Sequence, residues 1–136
     1  MKLAAPLLSL MLLSTASAAA AAEWTPANWA AEETLQFLTD CPDEGEHWSY
    51  VWLVVLDGDV WVRLGGKASG RVDCSKTKPM ASVKIAGQDF ANVELVAVPE
   101  MADRVGAAMG EKYTSDILVR YMSHPYTMKL VPKKAE

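Results

Sequence analysis

The sequence predicts one α+β domain that is mostly β-structure, and three features carry this prediction. Between residues 33 and 97, apolar residues alternate with polar ones at a period of two over several stretches. An Asp-Gly pair at residues 57–58 separates two of these stretches, which is typical of an antiparallel hairpin. After Pro99 the apolar residues recur at helical spacing instead. We therefore expect a β-sheet with a few helices packed against it.

The amino-terminal segment has the form of a secretory signal peptide. Lys2 precedes an apolar run that is too short to span a membrane as a helix, and small residues follow that run. The small-residue rule allows three cleavage positions: after Ala18, Ala20 or Ala22. The sequence thus predicts a signal peptide over residues 1–22 and a single domain over residues 23–136. The expected location is periplasmic or secreted, without stable insertion into a membrane.

Composition narrows the classes of function. Apolar residues make up 51% of the chain, which is enough for a substantial core. The net charge of −4 leaves no excess of basic residues to neutralise phosphates, so nucleic acid is not an expected partner.

The chain contains two cysteines, Cys41 and Cys74. Because an exported protein meets an oxidising compartment, the sequence predicts a disulfide between them. Two alternatives stay open: a pair of free thiols, and a metal site that adds His47 and His124. The spacing of these four residues matches no zinc pattern, so no metal is expected.

The first elements of the domain are a short helix and a strand. Thr25 is a candidate N-cap and Pro26 fits the first helical position, which favours a short helix over residues 24–32. Residues 33–39 alternate and predict a strand, although its start could still be helical. Pro, Gly and acidic residues over positions 40–46 then indicate a turn.

A long hairpin follows and is the clearest feature of the chain. Residues 47–56 carry apolar or aromatic side chains on both faces, which predicts a strand covered on both sides. Beyond the Asp-Gly turn, Val60, Val62 and Leu64 share one face of the returning strand. Trp61 and Arg63 share the other face, and we expect Arg63 to lie close to the glycine-rich stretch that comes next.

The second half of the domain predicts two strands, a helix and a last strand. Side chains expected to point inward from the two strands, which a Gly87-Gln88 turn joins, are Ala81, Val83, Ile85, Ala91, Val93, Leu95 and Ala97. In the helix after Pro99, the buried face is predicted to consist of Met101, Val105, Ala108, Met109 and Lys112, with Gly106 and Gly110 allowing close packing on the sheet. Residues 115–123 predict further helical turns, residues 126–132 a strand, and the last residues a frayed tail.

The stretch after the hairpin, VWVRLGGKASGRVDCSK, is a candidate anion site. Glycines let backbone amides approach an anion, an arginine offers a two-pronged donor, and a serine adds a hydroxyl. The candidate ligand-binding residues are Arg63, Lys67, Ser69 and Arg71, with Trp61 nearby for a planar ligand. The competing interpretation is a solvated turn of the kind that glycine and serine favour.

Other chemistry-bearing residues each have a structural interpretation beside the functional one. Trp48, Trp52 and Trp61 could form a stacking platform, or they could belong to the core or a subunit interface. His47 is a candidate acid or base but has no neighbouring nucleophile in the sequence. No catalytic motif is complete, and the catalytic residues stay unknown.

Three segments resemble one family. WTP near position 24, DGDVWVRLGGKAS in the middle and DRVGAAMGEKY, which ends on Lys112-Tyr113, are similar to the flavin-binding split β-barrel superfamily, typified by pyridoxamine-phosphate oxidase. Within it, the chain looks nearest to a branch of short proteins of unknown function. The resemblance implies a small antiparallel split β-barrel of about six strands, with two or three helices outside and a homodimer that holds a ligand at the subunit interface.

The resemblance also implies a function. Arg63, Lys67, Ser69 and Arg71 stand where the superfamily grips the phosphate of FMN or a related flavin. We therefore predict an exported split-barrel protein that binds a phosphate-bearing or planar small molecule; if it is an enzyme, it is a flavin-type oxidoreductase. The alternative is a non-catalytic structural or interaction protein that has lost the cofactor.

Overall fold

Six antiparallel strands close into a barrel in the order β1-β2-β3-β6-β5-β4 in this computed structural model, which describes residues 22–113 and 124–133. The strands are β1 Thr34–Cys41, β2 Gly45–Leu56, β3 Asp59–Leu64, β4 Met80–Ile85, β5 Gln88–Ala97 and β6 Tyr126–Pro132. Helix α1, Gly66–Cys74, connects β3 to β4, and helix α2, Ala102–Lys112, follows β5. Single 3-10 turns cover Pro26–Trp29 and Pro99–Met101. The architecture confirms the predicted α+β class and the small antiparallel barrel with helices outside.

Alternation along the strands fills the barrel. The interior side chains that are almost fully buried include Leu35, Phe37, Leu53, Val60, Val62, Leu64, Val83, Ile85, Val93 and Leu130. A second apolar cluster lies between the outer surface of the barrel and α2, formed by Val54, Trp61, Val105, Met109 and Tyr113. Strands β2 and β3 are therefore covered on both faces where α2 crosses them, as the apolar runs predicted.

The Asp-Gly hairpin is confirmed. Asp57 and Gly58 have φ values of 54° and 78°, and two consecutive residues with positive φ form the turn that matches the twist of antiparallel strands. Ala86 and Gly87 repeat this geometry between β4 and β5, with φ values of 51° and 73°. The second turn thus lies one residue earlier than the predicted Gly87-Gln88 pair.

The inward face of β5 differs from the prediction in its first half. Ala81 pairs with Val93 while Val83 pairs with Phe90, so β5 has one residue more than β4 across this interval. Such a bulge shifts the alternation, and Phe90 packs against the core in place of Ala91, which is exposed. Val93 and Leu95 are buried as predicted, but Ala97, at the end of the strand, is exposed.

Two local predictions around the helices are wrong. The predicted first helix is a single 3-10 turn, and the Thr25 side chain makes no capping hydrogen bond to it. The predicted glycine-rich loop is helix α1. Its glycines lower helix propensity, but Val72 and Ala68 pack onto the barrel core, and that burial outweighs the local preference.

The predicted disulfide between Cys41 and Cys74 is present, and no cysteine is free. It joins the end of β1 to the end of α1. The predicted helical turns over residues 115–123 lie outside the described residues, as do residues 1–21 and the tail from residue 134. None of the described helices has the length and apolar character needed to cross a membrane.

Candidate functional site

Trp61, one of the five predicted site residues, is a core residue. Its ring is 4% exposed beneath α2, and its indole Nε1 donates a hydrogen bond to the Leu56 carbonyl oxygen at 3.1 Å. The Lys129 ammonium lies 6.0 Å from the ring centroid on the neighbouring strand. The tryptophan therefore supports the surface above it and offers no open face for stacking.

Ser69 also faces inward. Its hydroxyl is buried and donates a hydrogen bond to the Leu64 carbonyl oxygen at 3.2 Å. This bond fastens the first turn of α1 to the end of β3. The serine is thus a structural anchor for the helix.

Lys67 and Arg71 lie on the outer side of α1, beside a shallow cavity of about 350 Å³ next to the disulfide. The Arg71 guanidinium binds the Glu44 carboxylate through two hydrogen bonds, Nε to Oε1 at 2.8 Å and Nη2 to Oε2 at 3.2 Å. The hydrogen bond from Arg71 lowers the pKa of Glu44. Because Glu44 already occupies this guanidinium, the positive charge of α1 is partly neutralised.

Arg63 lies at a different place from the basic residues of α1. Alternation along β3 puts its side chain on the outer surface, where α2 crosses the barrel. Its Nη2 donates a hydrogen bond to His124 Nδ1 at 2.8 Å, and its Nη1 would lie 3.4 Å from a Cβ added to Gly106 of α2. Arg63 is therefore directed at α2, and not at the glycines that follow it in sequence.

A cavity of about 660 Å³ opens beside the arginine, and we call it the Arg63–His124 groove. Its lining residues are Arg63, Ala102, Asp103, Gly106, Ala107, Gly110, Glu111, His124 and Thr127. The α2 residues on this side are mostly small, which leaves room above the sheet. Arginine and histidine stand at the barrel, and the two acidic side chains belong to the helix.

The sequence named His124 only in an alternative metal site, and its contact with Arg63 was not predicted. It lies 61 residues from Arg63 along the chain, and it meets the arginine because β3 pairs with β6, Arg63 opposite Thr127. A short sequence motif does not indicate which distant strands pair. The other histidine, His47, is half-buried at the start of β2, where its carbonyl oxygen accepts a bond from Thr39.

The proton on His124 follows from its partner. A guanidinium can only donate, so Nδ1 accepts and the neutral ring carries its hydrogen on Nε2. The nitrogens of the pair other than Nδ1 are thus N–H groups, and N–H groups of this kind suit an anionic oxygen. Within residues 22–113 and 124–133, no group of three metal-ligating side chains comes together.

Lys112 and Tyr113 anchor α2 to the barrel. They end the segment DRVGAAMGEKY, which resembles the flavin-binding superfamily. Lys112 Nζ donates to the carbonyl oxygens of Glu32 and Leu53, the second at 3.1 Å. The Tyr113 hydroxyl lies 2.6 Å from the carbonyl oxygens of both Glu33 and Leu53. Burial lowers the pKa of Lys112 and raises that of Tyr113 to about 12. These residues thus have the helix-end role that the sequence allowed.

Trp52 packs on this anchor. Its ring stacks on Tyr113 with centroids 4.5 Å apart and an angle of 9° between the planes. Trp52 and Trp61 therefore both pack between α2 and the sheet. These two tryptophans are core residues and do not form a stacking platform.

Comparison with known proteins supports the fold. No protein-family model matches the chain, and no curated protein sequence matches it. A conserved hypothetical protein, Rv2991 from Mycobacterium tuberculosis, is 21% identical with a TM-score of 0.56 over 79% of this chain and 78% of that one. HutZ, the heme storage protein from Vibrio cholerae, is 19% identical with a TM-score of 0.54 over 80% of this chain and 88% of that one. The likeness shows that the chain shares the split-barrel fold of these two structures.

Proposed function

We propose that the protein binds a planar small molecule bearing an anionic group, such as a phosphate-bearing flavin, in the Arg63–His124 groove. One observation carries this proposal: the arginine and the histidine meet at 2.8 Å on the wall of a cavity of about 660 Å³. Cavities of about 300–1,000 Å³ are typical of small-molecule sites. The small residues of α2 that line the groove leave space for the body of the ligand.

Two cofactors are candidates for the groove, flavin from the sequence resemblance and heme from the name of HutZ. Arg63 and the His124 Nε2–H are suited to a flavin phosphate or a heme propionate. Iron ligation through Nε2 does not fit the observed pair, because Nδ1 accepts from Arg63 and Nε2 carries the proton. The donor set thus favours the anionic group of a flavin over a heme bound through its iron. A bound flavin would supply electron or hydride transfer, which is the chemistry of an oxidoreductase.

The test is a titration followed by tryptophan fluorescence, with FMN, riboflavin, hemin and inorganic phosphate as probes. We expect saturable binding of FMN and weaker binding of riboflavin, which lacks the phosphate. Arg63→Met should weaken FMN binding about tenfold or more, because it removes a charge-assisted donor pair. Gly106→Leu should block binding by filling the groove.

Arg71→Ala is the matched control, since it removes an arginine outside the groove. If Arg71→Ala abolishes FMN binding and Arg63→Met leaves it intact, the binding site lies at α1 and the proposal is wrong. Absence of saturable binding by every probe would contradict the proposal and favour the second candidate. Circular dichroism on each variant checks that the barrel is intact.

The second candidate is a non-catalytic structural or interaction protein that has lost its cofactor. The observation in its favour is that Trp61, Ser69 and Arg71 are all engaged with other parts of the protein. Under this proposal, Arg63→Met leaves the biological role of the protein unchanged.

We also propose export to the periplasm or the exterior, and a homodimer. The form of the first 22 residues and the disulfide support export. Amino-terminal sequencing of the protein from its own cells tests the cleavage, and light scattering after gel filtration tests the dimer. An uncleaved amino terminus or a monomer would refute the respective proposal.

A further inference from the structure

A second groove lies on the outer surface of β1, β2, β4 and β5. Strand register places Tyr50 opposite Gln36, Gln36 opposite Lys84, and Lys84 opposite Asp89. Paired residues of neighbouring strands point to the same face and lie about 5 Å apart, so these four form one lateral row, which we call the Tyr50 row.

The Tyr50 side chain dominates this surface. It is 71% exposed, which is unusual for a large aromatic residue in the middle of a sheet. The row borders an open groove of about 390 Å³ that also involves Glu32 and Thr34. An exposed ring beside a concave surface is therefore available for contact with a ligand.

The polar groups of the groove are diverse and nearly balanced in charge. Glu32 and Asp89 supply acceptors, Lys84 supplies donors, and the Gln36 amide supplies both. The Lys84 ammonium lies 4.3 Å from the centroid of the Trp48 ring, a cation–π contact that fixes its position on this face. The groove thus offers a mixture of donors and acceptors, and its lining does not place two N–H donor side chains together as Arg63 and His124 do.

We propose that the Tyr50 row binds a neutral saccharide. A sugar ring has an apolar face for Tyr50 and a rim of hydroxyl groups, each of which can both donate and accept. Such a rim matches a row in which acceptors, donors and an amide follow one another across four strands. An open groove with one aromatic wall also suits a ring in a chain of sugars, whereas a drug-like apolar ligand is usually enclosed.

A second copy of the chain fits this surface less well. The central part of a subunit interface is depleted of charged residues. Here Glu32, Lys84 and Asp89 border the groove itself. The Tyr50 row is formed by strands other than β3 and β6, so the saccharide proposal does not depend on the Arg63–His124 groove.

The test is a titration of the ¹⁵N-labelled protein with cellotetraose, maltotetraose and chitotetraose, followed by NMR. We expect saturable shifts for at least one of these sugars at the amide signals of Gln36, Tyr50 and Lys84, and none at Arg63. Tyr50→Ala should weaken binding about tenfold, because it removes the stacking surface, whereas Tyr50→Phe should stay within about threefold. Glu100→Ala, an exposed change outside the groove, is the control and should have no effect.

Three outcomes would overturn the proposal. One is the absence of saturable shifts with all three sugars. Another is equal affinity for the protein and its Tyr50→Ala variant. The third is a dimer in light scattering that Tyr50→Ala converts to a monomer, because this face would then be an interface between copies.

Discussion

Tyr113 joins the end of helix α2 to two carbonyl oxygens through one hydroxyl group, that of Glu33 just before β1 and that of Leu53 in β2. Tyr113→Phe keeps the ring that stacks on Trp52 and removes the hydrogen bonds to Glu33 and Leu53. We expect the free energy of unfolding to fall by about 1 kcal/mol, because each carbonyl oxygen loses the hydroxyl but keeps a second donor, the Leu53 N–H for Glu33 and Lys112 Nζ for Leu53. Urea unfolding of both proteins measures this, and equal midpoints would show that water replaces the hydroxyl.

The same hydroxyl makes stability depend on pH. The pKa of Tyr113 in the folded protein is about 12, above its ordinary value of 10.0, because burial disfavours the phenolate. Between these values the folded state holds a proton that the unfolded state has released, so stability falls as the pH rises from about 10 to about 12. The difference in unfolding free energy between the protein and Tyr113→Phe should shrink over this interval. The lowered pKa of Lys112 acts in the opposite direction but is present in both proteins.

Two buried serines should respond oppositely to the loss of their hydroxyl. Ser49 Oγ is buried without a hydrogen-bond partner in the part of the chain that the structure describes. Ser69 Oγ donates to the Leu64 carbonyl oxygen. We expect Ser49→Ala to leave stability unchanged or raised, and Ser69→Ala to lower it by about 1 kcal/mol. Thermal unfolding compares the two, and a clear loss in Ser49→Ala would point to a bound water.

At the scale of residues, the sequence predicted the interior better than the site. Val60, Val62 and Leu64 follow from alternation alone, because a period of two repeats the same environment. The meeting of Arg63 with His124 depends on which strand pairs with β3, and periodicity carries no information about that choice.

Helix α1 is the element for which local signals and the fold disagree most. The three glycines of residues 65–70 predict a loop, yet residues 66–74 are helical because Val72 and Ala68 cover the barrel core. The bulge in β5 was not predictable either, because one extra residue between paired positions does not change the composition of the strand. By contrast, the Asp57-Gly58 turn was predictable, because positive φ at both positions restricts the residue types.

The disulfide between β1 and α1 should contribute a large share of the protein's free energy of unfolding. Cys41 and Cys74 are 33 residues apart, and closing a loop of that size stabilises a fold by about 3–4 kcal/mol in the chain-entropy model. We expect the double change Cys41→Ala with Cys74→Ala to lower the free energy of unfolding by about this amount. Urea unfolding without reductant measures it, and a loss below about 1 kcal/mol would contradict the entropic account.

Gly106 offers a test of how tightly α2 packs. Alanine is favoured over glycine inside a helix by about 0.5–1 kcal/mol. The added Cβ would meet Arg63 Nη1 at 3.4 Å, the tip of a flexible side chain. We therefore expect Gly106→Ala to raise the thermal unfolding temperature, and a decrease would mean that the arginine cannot move.

For the whole molecule, the least continuous part of the barrel is the junction of β1 and β4. These strands pair at Gln36 with Lys84 and at Phe37 with Val83, whereas β1 pairs with β2 along its full length. The disulfide joins the end of β1 to α1, which leads into β4.

Reduction of the disulfide should consequently loosen this junction first. We expect hydrogen exchange to accelerate at the amides of β1 and β4 and to change little between β3 and β6. Mass spectrometry with and without reductant measures the difference, and a uniform acceleration would show that the barrel opens as one unit.

The class of fold was predictable because strand alternation, the hairpin and the helix after Pro99 all indicated a β-sheet with helices packed against it. The closed order of the strands was not, since β6 inserts between β3 and β5 across a long stretch of sequence. Non-local pairings of this kind depend on the packing of the whole chain.

The packing of Trp24 at one end of the barrel determines where a recombinant chain should start. Trp24 packs edge-on against Trp29 and Phe90, with ring centroids 4.9 Å and 5.0 Å apart, so the first aromatic residue of the sequence belongs to the fold. A recombinant chain that starts after Trp24 would leave Phe90 with its edge contact to Trp29 at 5.6 Å but without the contact to Trp24, whereas one that starts at Glu23 keeps the trio complete. Each of the three predicted cleavage positions lies before Trp24, and maturation at any of them would therefore keep these three rings together.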